Sequence, residues 1–139
     1  MIFGTKITVF NFDQDSGSFL KTLISDVECQ YYFGIHRLYS HNDAVDRCIA
    51  IVKFSIENGS KITKNGQVFL SPEEWKDKTA KTGFFTFQTD KDFFSLGDFT
   101  GKTVTNYDSI KTLYPNHIFL INQWYEYESV LPHWEVFGH

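Results

Sequence analysis

Histidine, cysteine and carboxylate side chains are common ligands of metal ions, and their densest group here comprises His41, Asp43, Asp46 and Cys48. A zinc site needs three or four convergent ligands, usually with one close pair on a single element. The sequence contains neither a C-x-x-C nor an H-x-x-x-H pair. We therefore interpret this group as part of a solvated loop and predict no metal site.

An acidic segment near the N-terminus, Asp13-Gln14-Asp15-Ser16-Gly17, resembles the first half of a calcium-binding loop. Such a loop ends in a carboxylate that binds the ion through both oxygens at its twelfth position. The twelfth residue counted from Asp13 is Ile24, which cannot bind a cation. The segment is therefore predicted to be a turn.

Ser18 and Lys21 are three residues apart, a spacing that suits a serine nucleophile and the lysine that activates it. Together with Lys81-Thr82-Gly83 they match two of the three signature elements of penicillin-recognising enzymes. The third element, Ser-Asp-Asn, is absent, and 139 residues are too few for that fold. We expect Lys21 to point outward from a strand and exclude this chemistry.

Two carboxylates, Glu126 and Glu128, lie two residues apart on a predicted strand and should share one face. A glycosidase needs two carboxylates on opposite sides of a cleft, which this spacing does not establish. The aromatic run Trp124-Tyr125-Glu126-Tyr127 could form a sugar platform. A carbohydrate-active or other small enzyme therefore stays as an alternative, but we assign no catalytic residue and no cofactor, and predict that the protein is not an enzyme.

Length and composition favour a single domain over residues 1–139 with a core of its own. The formal net charge is −4 and the basic residues are scattered, so specific nucleic-acid binding is not expected. Cys29 and Cys48 are too few for a disulfide framework and are predicted to be buried thiols. We expect no signal peptide and no membrane-spanning segment.

The aromatic content is high, at 18% with 15 Phe, and aromatic residues dominate both cores and interfaces. We expect it to exceed what one subunit can bury, so that the remainder contacts other proteins. The residues proposed as interface contacts or anchors are Trp75, Phe93, Phe94, Trp124, Tyr125, Tyr127 and Trp134.

Alternating apolar and polar residues predict a chain made mainly of strands. Cys48 to Ile56 is the strongest segment and should be central in the sheet. Turn sequences separate the strands, including Asn58-Gly59 and Asn65-Gly66. The remaining predicted strands are Thr5–Phe12, Phe19–Ile24, Asp26–Phe33, Lys61–Thr63, Gln67–Leu70, Phe84–Gln88, Phe93–Phe94, Ile118–Tyr127 and His133–Phe137.

Helices and loops complete the predicted architecture. Ser71-Pro72-Glu73-Glu74 is a capping box that predicts a surface helix over 72–81, with Trp75 as its anchor and Gly83 as its end. Residues 108–113 could form one or two further helical turns. Residues 34–47 are predicted to be a long loop with a short helical turn near Asp43-Ala44-Val45. The fold class is mainly β, a single antiparallel barrel or sandwich with one short surface helix and long loops.

Several segments, taken in order, resemble a family of small structural proteins from the head-assembly genes of tailed bacteriophages and prophages. The likeness does not extend to residues 34–47 or 99–116. The matching segments are Ile7-Thr8-Val9-Phe10-Asn11, Lys53-Phe54-Ser55-Ile56, Gly66 with Ser71-Pro72-Glu73-Glu74-Trp75, Phe84-Phe85-Thr86-Phe87 with Gly97-Asp98, Phe119-Leu120-Ile121-Asn122 and Pro132-His133-Trp134-Glu135-Val136-Phe137-Gly138.

This resemblance implies a head-completion or connector protein of the virion neck, assembled in the host cytoplasm as a homo-oligomeric ring between portal or adaptor and tail. The family members are small β-barrels or sandwiches without cofactors. A negative subunit would suit a channel through which DNA slides, since like charge lowers affinity for phosphate. A small acidic binding module, such as an inhibitor of a host protein, is the first alternative to this function.

Overall fold

A closed six-stranded barrel forms the body of the computed structural model, which describes residues 2–36 and 44–139. The strands follow one another around the barrel in the order β1-β2-β3-β10-β9-β8, and every neighbouring pair is antiparallel. The mainly-β fold class predicted from the sequence is therefore confirmed, in its barrel form. The barrel strands are β1 (Ile2–Asp13), β2 (Ser18–His36), β3 (Ala44–Lys53), β8 (Phe93–Leu96), β9 (Ile118–Tyr127) and β10 (His133–Gly138).

The two strands predicted between residues 19 and 33 are one continuous strand, β2, of 19 residues. An irregularity near Asp26 replaces the expected break. Thr5 pairs with Val27 and Ile7 with Ile24, so β2 carries one extra residue there, and Asp26 has a φ of +56°. A bulge of this kind bends the strand without ending its pairing.

The predicted loop over 34–47 is wrong at both of its ends. β2 continues to His36 and β3 begins at Ala44, and the two strands pair at Ile35↔Val45 and His36↔Ala44. Ala44 and Val45 are therefore in a strand rather than a helical turn, while residues 37–43 lie outside the described part. The polar composition of residues 34–47 favours a loop, but pairing between β2 and β3 overrides this local preference.

A second, four-stranded sheet packs beside the barrel in the order β4-β5-β6-β7. Asn58 and Gly59 form its first turn with φ values of +52° and +79°, which confirms the hairpin predicted from this pair. The strands β6 and β7 are parallel. The bounds are β4 (Ser55–Glu57), β5 (Ser60–Ile62), β6 (Val68–Phe69) and β7 (Phe84–Phe85).

Two short helices lie between the strands: α1 (Pro72–Asp77) and α2 (Tyr107–Leu113). The predicted capping box is present, because Ser71 and Glu74 exchange side-chain and backbone hydrogen bonds. The helix nevertheless ends at Asp77 rather than near Gly83, since Lys78 is extended with φ −81° and ψ 125°.

The predicted strand over 84–88 pairs only at Phe84 and Phe85. Beyond them the backbone bonds to side chains instead of a neighbouring strand. Thr86 N donates to Asn11 Oδ1 at 3.1 Å, and Gln88 N donates to Asp92 Oδ2 at 2.9 Å. These buried partners satisfy the backbone that a ladder would otherwise have satisfied.

Aromatic side chains fill the core on both sides of the barrel wall. One cluster joins the interior of the barrel to the small sheet, with Trp134 stacked on Phe54 at 4.1 Å between ring centroids. A second cluster lies where α2 and the segment from Phe99 cover Phe10 and Phe93, whose rings stack at 4.6 Å. Among the residues whose side chains the structure describes, nine phenylalanines are buried in this way.

Candidate functional site

Four of the seven residues proposed for an interface lie in the core instead. Trp75, Phe93, Phe94 and Trp134 are at most 2% exposed, so they cannot contact another protein while the subunit stays folded. Trp75 does act as the anchor of α1, as predicted, and its Nε1 donates to Phe12 O at 2.9 Å. The expectation of a large aromatic surplus is corrected accordingly, because the core includes an outer layer under α2.

The remaining three residues lie on two different faces of β9. Trp124 points inward and packs against Phe69 at 5.5 Å. Tyr125 and Tyr127 point outward and are 48% and 44% exposed. The aromatic run is therefore divided by the alternation of the strand and forms no single sugar platform.

Glu126 and Glu128 share one cation, the ammonium of Lys61 on β5. Lys61 Nζ lies 2.6 Å from Glu126 Oε2 and 3.0 Å from Glu128 Oε1, and Trp134 Nε1 donates to Glu126 Oε1 at 2.9 Å. Burial alone would raise the pKa of Glu126, but the hydrogen bonds from Lys61 and Trp134 outweigh it and lower that pKa. The carboxylate is thus held ionised, which suits an ion pair joining the two sheets and not a general acid.

The acidic turn that resembles half a calcium loop holds an ammonium group. Lys81 Nζ lies 2.9 Å from Asp13 Oδ1 and 3.4 Å from Asp15 Oδ2, and its side chain is 4% exposed. The hydrogen bond with Lys81 lowers the pKa of Asp13 and raises that of Lys81. The cation that the carboxylates of this acidic turn contact is therefore the ammonium group of Lys81.

Ser18 and Lys21 do not form a nucleophile and base. Lys21 Nζ donates to the backbone oxygens of Thr100 and Lys102, and the Ser18 hydroxyl lies 2.8 Å from that of Ser16. The lysine of the Lys81-Thr82-Gly83 motif is occupied by the acidic turn. These contacts explain both motifs as structural.

A buried carboxylate that the sequence did not single out, Asp92, accepts hydrogen bonds from three residues. Asn11 Nδ2 donates at 2.7 Å, Phe12 N at 2.8 Å, and the Gln88 backbone and side-chain nitrogens at 2.9–3.1 Å. Burial raises the pKa of Asp92 to about 6 against the lowering effect of these bonds. Asp92 ties β1 to residues 86–88; its position in a polar turn sequence gave no sign of burial.

The two cysteines are buried free thiols on neighbouring strands, as predicted. Contact with Cys29 and burial together raise the pKa of the Cys48 thiol. No group of three possible metal ligands occurs in the part of the chain that the structure describes. Of the group considered from the sequence, His41 and Asp43 lie outside that part, as does the side chain of Asp46.

Within the described part of the chain, the most exposed large apolar side chains lie in the turn between β9 and β10, residues 128–132, which we call the hairpin tip. Val130 is 94% exposed and Leu131 76% exposed. Val130 also has a φ of +66°, a conformation that β-branched residues rarely adopt. No sequence pattern predicts this exposure, because Val-Leu beside a predicted strand is typical of the core.

A groove of about 490 Å³, which we call the side groove, lies between β2 and the small sheet. Phe54 and Ile62 supply its apolar side chains. Its charges are paired, since Lys53 lies 3.4 Å from Glu28 and Lys64 contacts Asp26. A smaller depression of about 280 Å³ adjoins Glu126. The remaining residues of the side groove are Ser25 and Ser55.

These features define a small closed-barrel protein whose ionisable groups mainly hold its sheets together. The chain matches the family described as "Family of unknown function (DUF6751)" over residues 2–139, and it belongs to that family. No curated protein and no solved structure matches the chain. Within residues 2–36 and 44–139, no helix has the length and apolar character needed to cross a bilayer.

Proposed function

We propose that the protein is a structural subunit of the neck of a tailed bacteriophage, forming part of the head–tail connector ring between portal or adaptor and tail. The observation that carries the proposal is the hairpin tip, where Val130 and Leu131 extend into solvent from a barrel that buries most of its other apolar side chains. Contiguous exposed apolar surface is a feature of protein contact sites, and the tip places two aliphatic side chains next to each other in solvent.

The hairpin tip is fixed in place before any partner binds. Leu131 N donates to Ser129 O at 2.9 Å, and Phe54 N donates to Pro132 O at 3.2 Å. The ring of Tyr127 stacks on His133 at 4.8 Å between centroids. A rigid tip loses little conformational entropy on docking, which favours assembly from many small contacts.

The two alternative functions have less support in the geometry. An acidic inhibitor would present free carboxylates. Asp13, Asp26, Glu28, Glu126 and Glu128 are paired with lysines. Exposed acids such as Glu57, Glu73 and Asp77 belong to none of the ion pairs among the described residues. A carbohydrate-active enzyme would need an available acid beside an aromatic platform, but Glu126 is held by Lys61 and Trp134. Both remain alternatives that direct binding and hydrolysis assays would test.

The proposal is tested with a phage whose genome encodes this chain, carrying a nonsense mutation in its gene. We expect lysates containing filled or partly filled heads and separate tails, as seen by electron microscopy, with joining restored by supplying the protein from a plasmid. Mass spectrometry of wild-type virions should also detect the chain. Normal infectious particles that lack the protein would contradict the proposal.

A further inference from the structure

Two Asn-Gly pairs, Asn58-Gly59 and Asn65-Gly66, lie in exposed turns of the small sheet. We propose that Asn58 is a site of spontaneous covalent modification in the folded protein, through a cyclic imide with the nitrogen of Gly59, whereas Asn65 is protected. This inference goes beyond the proposed neck function and does not depend on it.

The reaction requires water and a base, but no oxidant or reductant. The amide nitrogen of Gly59 loses its proton and attacks Cγ of Asn58, so that a bond between this nitrogen and Cγ forms. The bond between Cγ and the side-chain nitrogen breaks, and that nitrogen leaves as ammonia. Water then opens the cyclic imide at either carbonyl group, which gives aspartate or isoaspartate. Glycine after asparagine favours the ring because glycine has no Cβ atom to obstruct the attack.

Both reacting groups of the first turn are available. Within the described part of the chain, neither the Asn58 side chain nor the Gly59 nitrogen takes part in a hydrogen bond. The turn has two residues, and its flanking residues Glu57 and Ser60 pair with each other. All three residues of β4 are exposed, so this end of the hairpin has few buried contacts and can open at little cost. Local opening lets Asn58 rotate until the Gly59 nitrogen reaches its Cγ.

The second turn contains the same pair of residues, but hydrogen bonds hold both reacting groups. Gly66 N donates to Thr63 O at 3.0 Å, and Asn65 Nδ2 donates to Ser25 Oγ at 3.2 Å. The side chain of Gln67 also donates to the backbone of β2 at 2.7 Å, which fixes this turn against the barrel. Exposure does not distinguish the two pairs, since Asn65 and Gly66 are exposed as well. These bonds must break before the ring can form, so Asn65 should react more slowly.

Modification changes the β4–β5 hairpin in two respects. Either product adds a negative charge next to Glu57, which is itself an exposed acid. The isoaspartate product also lengthens the main chain by a carbon atom, and the register Glu57↔Ser60 depends on the length of the turn. We therefore expect the backbone amides of β4 and β5 to exchange hydrogen faster in the isoaspartate form.

The test is peptide mass spectrometry of the purified chain after incubation in mildly alkaline buffer, with and without urea. Conversion of asparagine replaces an NH2 group by OH and so changes the peptide mass. In the folded protein, Asn58 should convert at least about tenfold faster than Asn65, since two hydrogen bonds protect the second site. In urea the two rates should become similar, because the unfolded chain has neither turn.

Two variants identify the cause of the difference, and circular dichroism confirms that each is folded. Asn58→Gly keeps a residue suited to positive φ and should abolish the first reaction without changing the rate at Asn65. Ser25→Ala removes the acceptor of the Asn65 amide and should accelerate conversion of Asn65 several-fold. Asn65 converting as fast as Asn58 in the folded wild type would overturn the inference. The same holds if Asn58 is still unmodified in the folded protein when the urea-treated chain has converted completely.

Discussion

Lys81 shows what a single side chain contributes in this molecule. Its ammonium group forms ion pairs with Asp13 and Asp15 in the turn between β1 and β2. It also lies 5.4 Å from the centre of the Trp75 ring, so it links this turn to α1. The Lys81-Thr82-Gly83 motif and the acidic turn at Asp13 each suggested separate chemistry. The contact between Lys81 and this turn explains both. At the residue scale, the contacts of Lys81 with these two acids and with Trp75 stabilise the fold.

We expect Lys81→Met to lower the free energy of unfolding by about 2 kcal/mol, because it removes charge-assisted hydrogen bonds and leaves Asp13 without its cation. Urea denaturation at neutral pH measures the loss. Lys64→Met is the matched control. Its partner Asp26 and Lys64 itself are both exposed, so the effect should be much smaller. Equal losses in the two variants would contradict this account.

At the scale of elements, β10 closes the barrel between two strands that are far apart in the sequence. It pairs with β3 on one side and β9 on the other, and Gly138 at its end faces the interior. A Cβ atom at Gly138 would lie 2.6 Å from Phe119 Cβ and 2.8 Å from Phe94 Cε1. Glycine is therefore required here by the Cβ atom of Phe119 and the ring of Phe94, and not by backbone conformation.

Gly138→Ala should destabilise the protein by about 1–3 kcal/mol, the usual cost of overpacking a filled core. Thermal unfolding followed by circular dichroism measures the change. Gly101→Ala is the control, since nothing lies within 4 Å of the added Cβ and its φ is not positive. A Gly138→Ala variant as stable as Gly101→Ala would show that the barrel end can relax.

Elements governed by local rules were predictable from the sequence. The bounds of β9 agree with prediction, and the Asn58-Gly59 turn and the Ser71 cap depend on residues within one or two turns. The predicted strand bounds were wrong where residues far away in the sequence determine the local structure. The ends of β2 and β3 follow their mutual pairing, and residues 86–88 follow Asn11 and Asp92. No local pattern contains that information.

The candidate site was less predictable than the fold. Tyr125 and Tyr127 are exposed as proposed, but Val130 and Leu131 were not singled out. Whether an apolar residue lies in the core or at a turn depends on where pairing between β9 and β10 ends. The side groove escaped notice for a similar reason, because it is formed by segments up to 40 residues apart in the sequence.

At the scale of the whole molecule, the buried carboxylate of Asp92 makes stability depend on pH. Its pKa is about 6 in the folded chain against 3.8 as the reference value, so the folded state binds the proton more tightly. The contribution that protonated Asp92 makes to the free energy of unfolding is complete below the reference pKa. It is lost as pH rises through about 6. The change amounts to at most about 3 kcal/mol.

Asp92→Asn removes this titration. The wild-type free energy of unfolding minus that of the variant should therefore decrease as pH rises from about 4 to about 7, as measured by denaturant titration at each pH. The carboxylates of Asp13, Asp26 and Asp98, whose pKa values are lowered, act in the opposite direction but equally in both proteins. A difference that is independent of pH would contradict the assignment.

The place of β10 between β3 and β9 also affects how a nascent chain must fold. Translation delivers β3 and β9 before the strand that separates them, so both expose unpaired edges until residues 133–138 emerge. The barrel can close only after β10 has emerged. Ribosome pausing or premature termination near this point would produce open, adhesive intermediates, which chaperones recognise.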